Sequence, residues 1–375
     1  MEWTPLTNPE NIPSPGLLID PGKVARNIDR MISTVGSDKI HRLRPHVKSH
    51  KMSEVTKLQI DRGIHQFKAA TIAELEMAAE SGAEDVLLAY QPVGPNIKRL
   101  ACLIERFPGT SFSAITDNMD CARHIADQLG NDRNPFRLFI DIDCGMHRTG
   151  IALGEKMHSL RRWIEKQYGV NFAGLHAYDG HLHQPSLETR KEEVASIKSA
   201  LGDYVAADPV PAIIVSGSPT FNLWADTTDW QCSPGTTLLW DIGYAQSFPE
   251  LDFEIAACLL TRVISTPGEM NICLDLGHKA VAAENPLERR VSLQGIADAK
   301  TLTHSEEHLV IKSTKATQFS PGDALLGFPR HICPTVALHA DANVISNGNA
   351  TGETWQVRAR NRALEPTAKT TPCPS

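Results

Sequence analysis

The sequence predicts an α/β protein that begins with a (β/α)8 TIM barrel and continues into a second, mainly β C-terminal domain. Two observations predict this fold. Eight short β-branched or apolar runs alternate with amphipathic stretches, which is the strand count of such a barrel. After about residue 252, strand-like runs follow one another with only turns between them, which is typical of an antiparallel domain.

The predicted barrel occupies residues 16–247, and a span of about 230 residues is the usual size for this fold. Between the strands lie amphipathic stretches with apolar residues at helical spacing, at residues 53–62, 72–81, 96–106, 119–129 and 155–167. The eight predicted strands are residues 40–47, 65–69, 85–90, 111–116, 136–142, 172–177, 212–215 and 229–232.

The second domain is predicted to comprise residues 1–15 and 248–362, and residues 363–375 are predicted to form a flexible tail. Pro-Gly pairs at residues 267–268 and 321–322 mark turns between strands. The predicted strands of this domain include residues 256–264, 271–276 and 308–312.

Composition and charge exclude several classes of function. The 375 residues carry 37 Lys and Arg against 44 Asp and Glu, a net charge of −7, which argues against nucleic-acid or anionic-membrane partners. No apolar segment approaches the roughly 20 residues of a membrane span, and the N-terminus lacks the pattern of a signal peptide. The eight cysteines are scattered, without a CxxC pair, as in proteins with reduced thiols. We therefore expect a cytoplasmic enzyme.

The segment LRPHVKSHK, residues 43–51, ends the first predicted strand. Barrel active sites form at the C-terminal ends of the strands, so a lysine here would face the barrel mouth. Neighbouring positive charge lowers the pKa of a lysine and favours its nucleophilic amine. Arg44, His46, His50 and the second lysine supply such charge, but the pattern leaves Lys48 and Lys51 open as the nucleophile.

The segment VSGSPT follows the seventh predicted strand, where barrels commonly bind phosphate through backbone N–H groups. Small side chains here allow close approach, and the Gly-Thr pair after the eighth strand would complete the site. The sequence therefore predicts phosphate contacts from Ser216, Gly217, Ser218, Gly235 and Thr236.

The segment RHICPT, residues 330–335, contains a candidate metal pair. His331 and Cys333 would alternate on an extended chain and face one side. Imidazole and thiolate suit zinc, and two protein ligands leave positions for water and substrate. The nearby His339 and Asp341 form a rival pair.

LRPHVKSHK resembles the cofactor-lysine segment of the D-threonine aldolase and D-serine dehydratase family, whose members have the alanine racemase fold. The resemblance runs from about residue 14 to residue 348. Where this family usually has a further glycine the chain has Ser218, and where it commonly has tyrosine the chain has Thr237. The other segments that carry the resemblance are DIDCGMHRTG (141–150), LHAYDGH (175–181), VSGSPT (215–220), DLGHKA (275–280), SEEH (305–308) and RHICPT (330–335).

The resemblance implies a cofactor, pyridoxal phosphate (PLP), held by Lys48. It implies that Arg148 faces the pyridine nitrogen, where a permanently charged side chain keeps that nitrogen unprotonated, and that Tyr178 lines the cofactor site. It also implies that His331 and Cys333 hold a divalent metal beside the cofactor, with zinc expected first and manganese or magnesium as alternatives.

We therefore expect a lyase acting on D-β-hydroxy-α-amino acids, with His181 or His183 as the base near the substrate hydroxyl. The overall resemblance favours D-threonine aldolase-like cleavage to glycine and an aldehyde. Cys333 favours D-serine dehydratase-like elimination to an oxo acid and ammonia. A metal-free racemase would have no use for the metal pair, and a non-catalytic PLP carrier would lack the β domain. By the same resemblance we expect a homodimer.

Overall fold

The computed structural model describes residues 3–363, which form two compact units. We call residues 31–48, 56–235 and 361–363 the barrel unit, and residues 3–30, 49–55 and 236–360 the mixed-sheet unit. Within the described residues, no helix has both the length and the apolar character of a membrane span.

The helices and strands follow each other in a regular alternation until about residue 232 and are mainly strands thereafter. The helices are α1 Pro21–Val35, α2 Ser53–Ile60, α3 Ile72–Glu80, α4 Pro95–Arg106, α5 Met119–Leu129, α6 Glu155–Lys166, α7 Leu187–Ala207, α8 Phe221–Thr227, α9 Ile242–Ser247 and α10 Ile332–Val336. The strands are β1 Gly16–Ile19, β2 Gln66–Ala69, β3 Asp85–Leu88, β4 Ser111–Thr116, β5 Phe136–Asp141, β6 Val170–Ala177, β7 Ile213–Val215, β8 Gln231–Cys232, β9 Ala257–Ser265, β10 Asn271–Leu274, β11 Val291–Leu293, β12 Lys300–His304, β13 Leu309–Lys312, β14 Ala324–Pro329, β15 Asp341–Ser346 and β16 Asn349–Gln356.

The barrel unit is a closed ring of parallel strands. Strands β2 to β8 pair in chain order, and a short segment then closes the ring: Leu43 bridges Cys232 of β8, and His46 bridges Lys68 of β2. The backbone N–H of Arg44 donates to the Cys232 carbonyl at 2.9 Å. The predicted barrel topology is confirmed.

The closing segment differs from the predicted strand 40–47. Its first part is a 3-10 helix, Ser37–Arg42, and only residues 43–46 join the ring. Pro45 has no N–H to donate, so it contributes only its carbonyl, which accepts from the Lys68 N–H at 2.9 Å. The buried Arg42 side chain bonds the carbonyls of Ala225 and Thr228 and thereby anchors the 3-10 helix.

The barrel interior is filled by side chains from five neighbouring strands. Leu87, Ile115, Phe139, Ala173 and Ile214 form one buried cluster, and such a layer makes the barrel a packed core and not a pore. The predicted helices also form, because local signals agree with the apolar periodicity. Thr71, for example, accepts the Glu74 N–H at the start of α3, and Gly82 with φ of +100° follows its end.

The mixed-sheet unit contains one nine-stranded sheet in the order β12-β13-β10-β9-β1-β15-β16, with β14 pairing both β9 and β11. The three strands predicted in this region are present as β9, β10 and β13. Strand β1 pairs antiparallel with β9 and parallel with β15. All four of its residues are buried, as expected for a strand flanked on both sides.

The boundaries between the two units differ from the predicted domain boundaries. Residues 16–30, 49–55 and 236–247 belong to the mixed-sheet unit and not to the barrel, since β1 pairs with β9 and β15. Six described cysteines are free thiols, whereas Cys102 is disulfide-bonded, so the prediction of uniformly reduced thiols is wrong there. Apart from residue 363, the predicted tail lies outside the described residues.

Candidate active site

Lys48 lies in a one-turn 3-10 helix, Val47–Ser49, directly after the segment that closes the barrel. Its Nζ lies 5.6 Å from the centre of the Tyr178 ring. Lys51, the alternative left open by the sequence, belongs to the mixed-sheet unit, where its carbonyl accepts the Ala359 N–H. Within the barrel unit, therefore, the lysine that accompanies Tyr178 from this segment is Lys48.

Tyr178 follows β6 and is the common neighbour of three cations of the barrel unit. Besides Lys48, the Arg148 guanidinium lies 5.2 Å and the Lys68 Nζ 5.5 Å from its ring centre. A cavity at this place is lined by Tyr178, Arg148, His176 and Asp141, among others. Three cations around one aromatic ring are suited to a planar, anionic ligand.

The charges around Lys48 differ from those that the sequence predicted. Arg44 is buried and bonds Asp85 at 2.6 Å, so its charge is compensated by a carboxylate. Burial lowers the pKa of His50 to about 3, and burial and the charge of Lys48 lower the pKa of His46 well below its ordinary value. These two imidazoles are therefore uncharged, so they do not supply the positive charge that the sequence predicted beside Lys48.

Lys68 is the cation that sequence reasoning missed. It lies on β2, is 2% exposed, and its Nζ lies 3.4 Å from His176 Nε2. His176 Nδ1 lies 2.6 Å from Asp141 Oδ1. A single lysine in the run QFKA gives no sequence signal, since a lysine that alternates with apolar residues usually faces solvent.

The predicted phosphate loop brings its residues together after β7. Ser216 is held at φ of +73°, a conformation that non-glycine residues rarely adopt and that is concentrated at functional sites. Ser218 Oγ accepts the Gly235 N–H at 3.1 Å, and the Gly217 N–H donates to Asp179 at 2.8 Å. Two of the predicted backbone donors are therefore already used inside the barrel unit. Thr236, the fifth predicted contact, belongs to the mixed-sheet unit.

The buried carboxylate of Asp179 holds this loop in place through hydrogen bonds. Its carboxylate accepts from Gly217 N–H and from Trp224 Nε1, the latter at 2.7 Å. Burial is the main cause that raises the pKa of Asp179. A Cβ atom at Gly217 would lie 3.2 Å from Cε2 of Tyr178, so glycine is what lets the loop approach the ring this closely.

The two candidate histidines differ in environment. His183 is exposed. His181 is half-buried, and its Nδ1 is a buried atom with no hydrogen-bond partner among the described residues. Buried polar atoms are nearly always bonded, so this nitrogen is available to a ligand or a water molecule.

His331 and Cys333 come together in the mixed-sheet unit, although not as alternating residues of a strand. His331 is the extended residue before α10, and Cys333 lies in the first turn of that helix. Burial opposes charge on the imidazole, but the hydrogen bond and charge of Cys333 outweigh it and raise the pKa of His331 to about 9. The same contact outweighs burial of the thiol and lowers the pKa of Cys333.

The surroundings of this pair fit a metal site. His331 Nδ1 lies 2.9 Å from Glu284 Oε1, which leaves Nε2 for a metal, the arrangement usual for metal-binding histidines. A thiolate and an imidazole are donors that zinc prefers. Residues 3–363 contain no group of three or more His, Cys, Asp or Glu that could hold a metal.

The rival metal pair consists of the half-buried His339 and the exposed Asp341. His339 Nε2 bonds the Ala280 carbonyl at 2.7 Å, while Asp341 is the exposed first residue of β15. This hydrogen bond uses only one of the two imidazole nitrogens, as in the case of His331, so it leaves His339 and Asp341 as the alternative pair.

Residues 19–241, more than half of the chain, match the family described as alanine racemase, N-terminal domain. The chain belongs to this alanine racemase-type family. Residues 256–345 match a second family, described as a serine dehydratase domain. These families are PLP-dependent.

Relatives of this alanine racemase-type chain extend over nearly its whole length. A D-threonine aldolase from Arthrobacter sp. is 24% identical over 93% of this chain and 93% of its own. A 3-hydroxy-D-aspartate aldolase from Paracoccus denitrificans is 28% identical over 94% and 93%. The crystal structure of D-threonine aldolase from Filomicrobium marinum superposes with a TM-score of 0.85 at 23% identity, covering 93% of this chain and 96% of that one.

The residues of the barrel unit fit the cofactor of this alanine racemase-type family. An amine and a guanidinium flank the Tyr178 ring, a strained small-residue loop follows β7, and His181 offers an unpaired buried nitrogen. A pyridine ring with an anionic phosphate needs this combination of aromatic, cationic and close backbone contacts.

Proposed function

We propose that the protein is a PLP- and divalent-metal-dependent lyase that cleaves D-β-hydroxy-α-amino acids between Cα and Cβ, giving glycine and an aldehyde. The observation that carries this proposal is that one chain combines an alanine racemase-type barrel, with Lys48 and Arg148 at the Tyr178 ring, and a His331–Cys333 pair. The aldolase names of the relatives agree with this reaction.

PLP, when bound, supplies an electron sink for the bond that breaks at Cα. Lys48 would hold the cofactor through its amine, and Tyr178 would line the site. Arg148, a permanent cation, would face the ring nitrogen and disfavour its protonation. The small residues Ser216, Gly217, Ser218, Gly235 and Thr236 would lie around the phosphate. The N–H groups of Gly217 and Gly235 already donate within the protein, so these two glycines would contribute close approach rather than hydrogen bonds.

A divalent metal would supply Lewis acidity toward the substrate hydroxyl. His331 and Cys333 would hold it, and the Glu284 carboxylate would orient the imidazole. The imidazole–thiolate set favours zinc over the alternatives manganese and magnesium. Of the two candidate bases, the environment supports His181, whose buried Nδ1 can hold a proton of the hydroxyl, over the exposed His183.

A second candidate function is D-serine dehydratase-like elimination to an oxo acid and ammonia. It is supported by the match of residues 256–345 to the serine dehydratase domain and by Cys333 as the second metal ligand. The same side chains serve both reactions, because in each the hydroxyl must be held at the metal while a bond at Cα breaks. We further propose, from the resemblance alone, a cytoplasmic homodimer.

Separate incubations with D-threonine and D-serine test the proposal directly. We expect glycine and acetaldehyde from D-threonine, and mass spectrometry of the products distinguishes these from an oxo acid and ammonia. Reduction with borohydride followed by peptide mapping should place PLP on Lys48. Lys48→Ala should lose the absorbance of the attached cofactor, whereas the matched control Lys51→Ala should retain it. PLP on Lys51 would contradict the assignment.

The four stereoisomers of threonine test the arrangement as a whole. Cofactor and metal fixed by different side chains accept only one configuration at Cα, so we expect D-isomers to react on the order of a thousandfold faster than L-isomers, about 4 kcal/mol of differential transition-state binding. Discrimination at Cβ should be weaker. Equal rates for D- and L-threonine would contradict the proposed arrangement even if PLP is found on Lys48.

A further inference from the structure

A buried row of three polar side chains ends beside the Tyr178 ring. Asp141, His176 and Lys68 are 5%, 4% and 2% exposed. They stand on three different strands, β5, β6 and β2. The two contacts that link them measure 2.6 Å from carboxylate to Nδ1 and 3.4 Å from Nε2 to Nζ. No role for Lys68 follows from the proposed cofactor and metal contacts.

The direction of these hydrogen bonds follows from the chemistry of the groups. The Asp141 carboxylate can only accept, so His176 donates from Nδ1. The lone pair of Nε2 then faces Lys68, whose Nζ donates to it. A proton arriving on Lys68 would therefore be stabilised by an imidazole that is itself bonded to a carboxylate.

Charged groups from several parts of the barrel unit act on Lys68. Burial is the largest cause, and the charge of Lys48 the second, that lower the pKa of Lys68 to about 7. Asp179 and Asp141 act in the opposite direction, and Arg44 adds to the lowering. The neighbouring imidazoles of His46 and His176 have lowered pKa values themselves, with burial as the main cause.

The position of the Lys68 amine beside the Tyr178 ring indicates what it can do in the proposed reaction. Nζ of Lys68 and Nζ of Lys48 lie 5.5 and 5.6 Å from the centre of one aromatic ring. In the proposed function the substrate amine takes the place of the Lys48 amine at the cofactor carbon. The Lys68 amine therefore lies beside the same ring that would line the cofactor site, and the substrate amine would enter at this site.

We propose that Lys68 is the proton carrier between the substrate ammonium group and Lys48. Its uncharged Nζ takes one proton from the substrate ammonium, which makes the substrate amine nucleophilic and Lys68 an ammonium held by His176. When the Lys48 amine is set free, the proton passes from Lys68 to Lys48, and the uncharged Lys68 is restored. One proton moves in each step, and no other reactant is consumed. The inference rests on the proposed function.

The first test needs no turnover. The full-length holoenzyme is labelled with 13C-lysine, the Lys68 signal is assigned by its loss in Lys68→Arg, and its chemical shift is followed from pH 5 to 11. We expect a midpoint well below the usual range of lysine side chains, because burial is the largest cause that lowers the pKa of Lys68 and persists when the cofactor occupies Lys48. A midpoint above pH 9 would overturn the proposal. If the protein retains no PLP, the proposed function fails, yet this titration still reads out Lys68.

The second test measures the proton transfer itself. Lys68→Met should slow the change in cofactor absorbance on mixing with D-threonine by about a hundredfold or more, the size of a general-base contribution. Added ethylamine should restore the rate in proportion to its concentration, while Lys166→Met should react as the wild type and show no response to the amine. A Lys68→Met enzyme with wild-type rates, or peptide mapping that finds PLP on Lys68, would overturn the proposal.

Discussion

Arg44 and Lys68 are buried cations of the same barrel that are stabilised in opposite ways. Arg44 stays charged because it bonds Asp85 at 2.6 Å and the side-chain oxygens of Gln66 and Gln231 at 2.6 and 2.8 Å. Lys68 has an imidazole at 3.4 Å and, among residues 3–363, no carboxylate within ion-pair distance, so burial shifts it toward the uncharged amine. Arg44 therefore holds strands together, and Lys68 can exchange a proton near neutral pH.

Asp85→Asn should destabilise the protein by about 3–5 kcal/mol at neutral pH, because it leaves Arg44 as a buried charge without its partner. The pKa of Asp85 is lowered since Arg44 and Arg137 outweigh burial. The stabilisation is therefore full above about pH 4, the unfolded value, and is lost as the pH falls through the lower folded value.

Urea unfolding of wild type and variant from pH 3 to 8 measures this. Asp229→Asn is the matched control, since its partner Lys39 is an exposed lysine, and this variant should unfold like the wild type. An Asp85→Asn protein as stable as the wild type at pH 7 would contradict the role of the Arg44 pair.

The buried Lys68 should lower the free energy of unfolding by an amount that depends on pH. Its pKa is about 7 in the folded state and about 10.4 when unfolded, so the penalty is full below pH 7 and disappears as the pH rises to about 10. We expect Lys68→Met to melt at a higher temperature than the wild type at pH 6, with a difference that shrinks toward pH 10. Thermal melts followed by circular dichroism measure this, and a constant difference across the range would contradict a lowered pKa.

At the scale of elements, the helices were predictable because propensity, capping and apolar periodicity agree within each segment. The closing segment of the barrel was harder, since residues 43–46 join the ring only through isolated bridges to β8 and β2. Residues 16–19 were included in the predicted barrel without being assigned to a strand, and they form β1 of the mixed sheet. A four-residue apolar run is compatible with any buried strand, and only pairing with β9 and β15 decides its sheet.

Gly174 in β6 gives a test at this scale. It has φ of +133° next to a register shift between β5 and β6, and an added Cβ would lie 2.8 Å from the Ala212 carbonyl carbon. Gly174→Ala should therefore lower the free energy of unfolding by about 2 kcal/mol or more. Gly202→Ala, in the middle of α7 with open space around it, should raise it by about 0.5–1 kcal/mol. Denaturant unfolding of both variants measures these changes. Destabilisation of both would indicate a general effect of removing glycine, and destabilisation of Gly174→Ala alone would indicate a steric and backbone requirement at residue 174.

At the scale of the whole molecule, two compact units contribute different groups to the proposed chemistry. The barrel unit contains Lys48, Tyr178 and Arg148, and the mixed-sheet unit contains His331 and Cys333. Neither group of residues is sufficient for the proposed lyase. Lys48, Tyr178 and Arg148 would serve any PLP-dependent barrel enzyme, and His331 and Cys333 would provide only the metal.

Chelation should separate these contributions. Dialysis against EDTA should abolish cleavage of D-threonine while the absorbance of the bound cofactor persists, because different residues are proposed to hold the metal and PLP. Cys333→Ala should lose zinc in elemental analysis, and the control Asp341→Ala should retain it. Full activity after exhaustive chelation would instead support a metal-free racemase, and zinc loss only in Asp341→Ala would support the rival pair.

The sequence by itself determined the order of the elements, the family resemblance and the segments that carry Lys48, Arg148, the phosphate loop and the metal pair. These are local patterns, set by periodicity, turn residues and short motifs. Only the tertiary structure decided which charges surround Tyr178. Asp141, His176 and Lys68 are separated by up to 108 residues and meet because β2, β5 and β6 belong to one closed ring. The protonation states of these side chains depend on their burial and on groups that are distant in sequence. A local sequence pattern predicts neither of these.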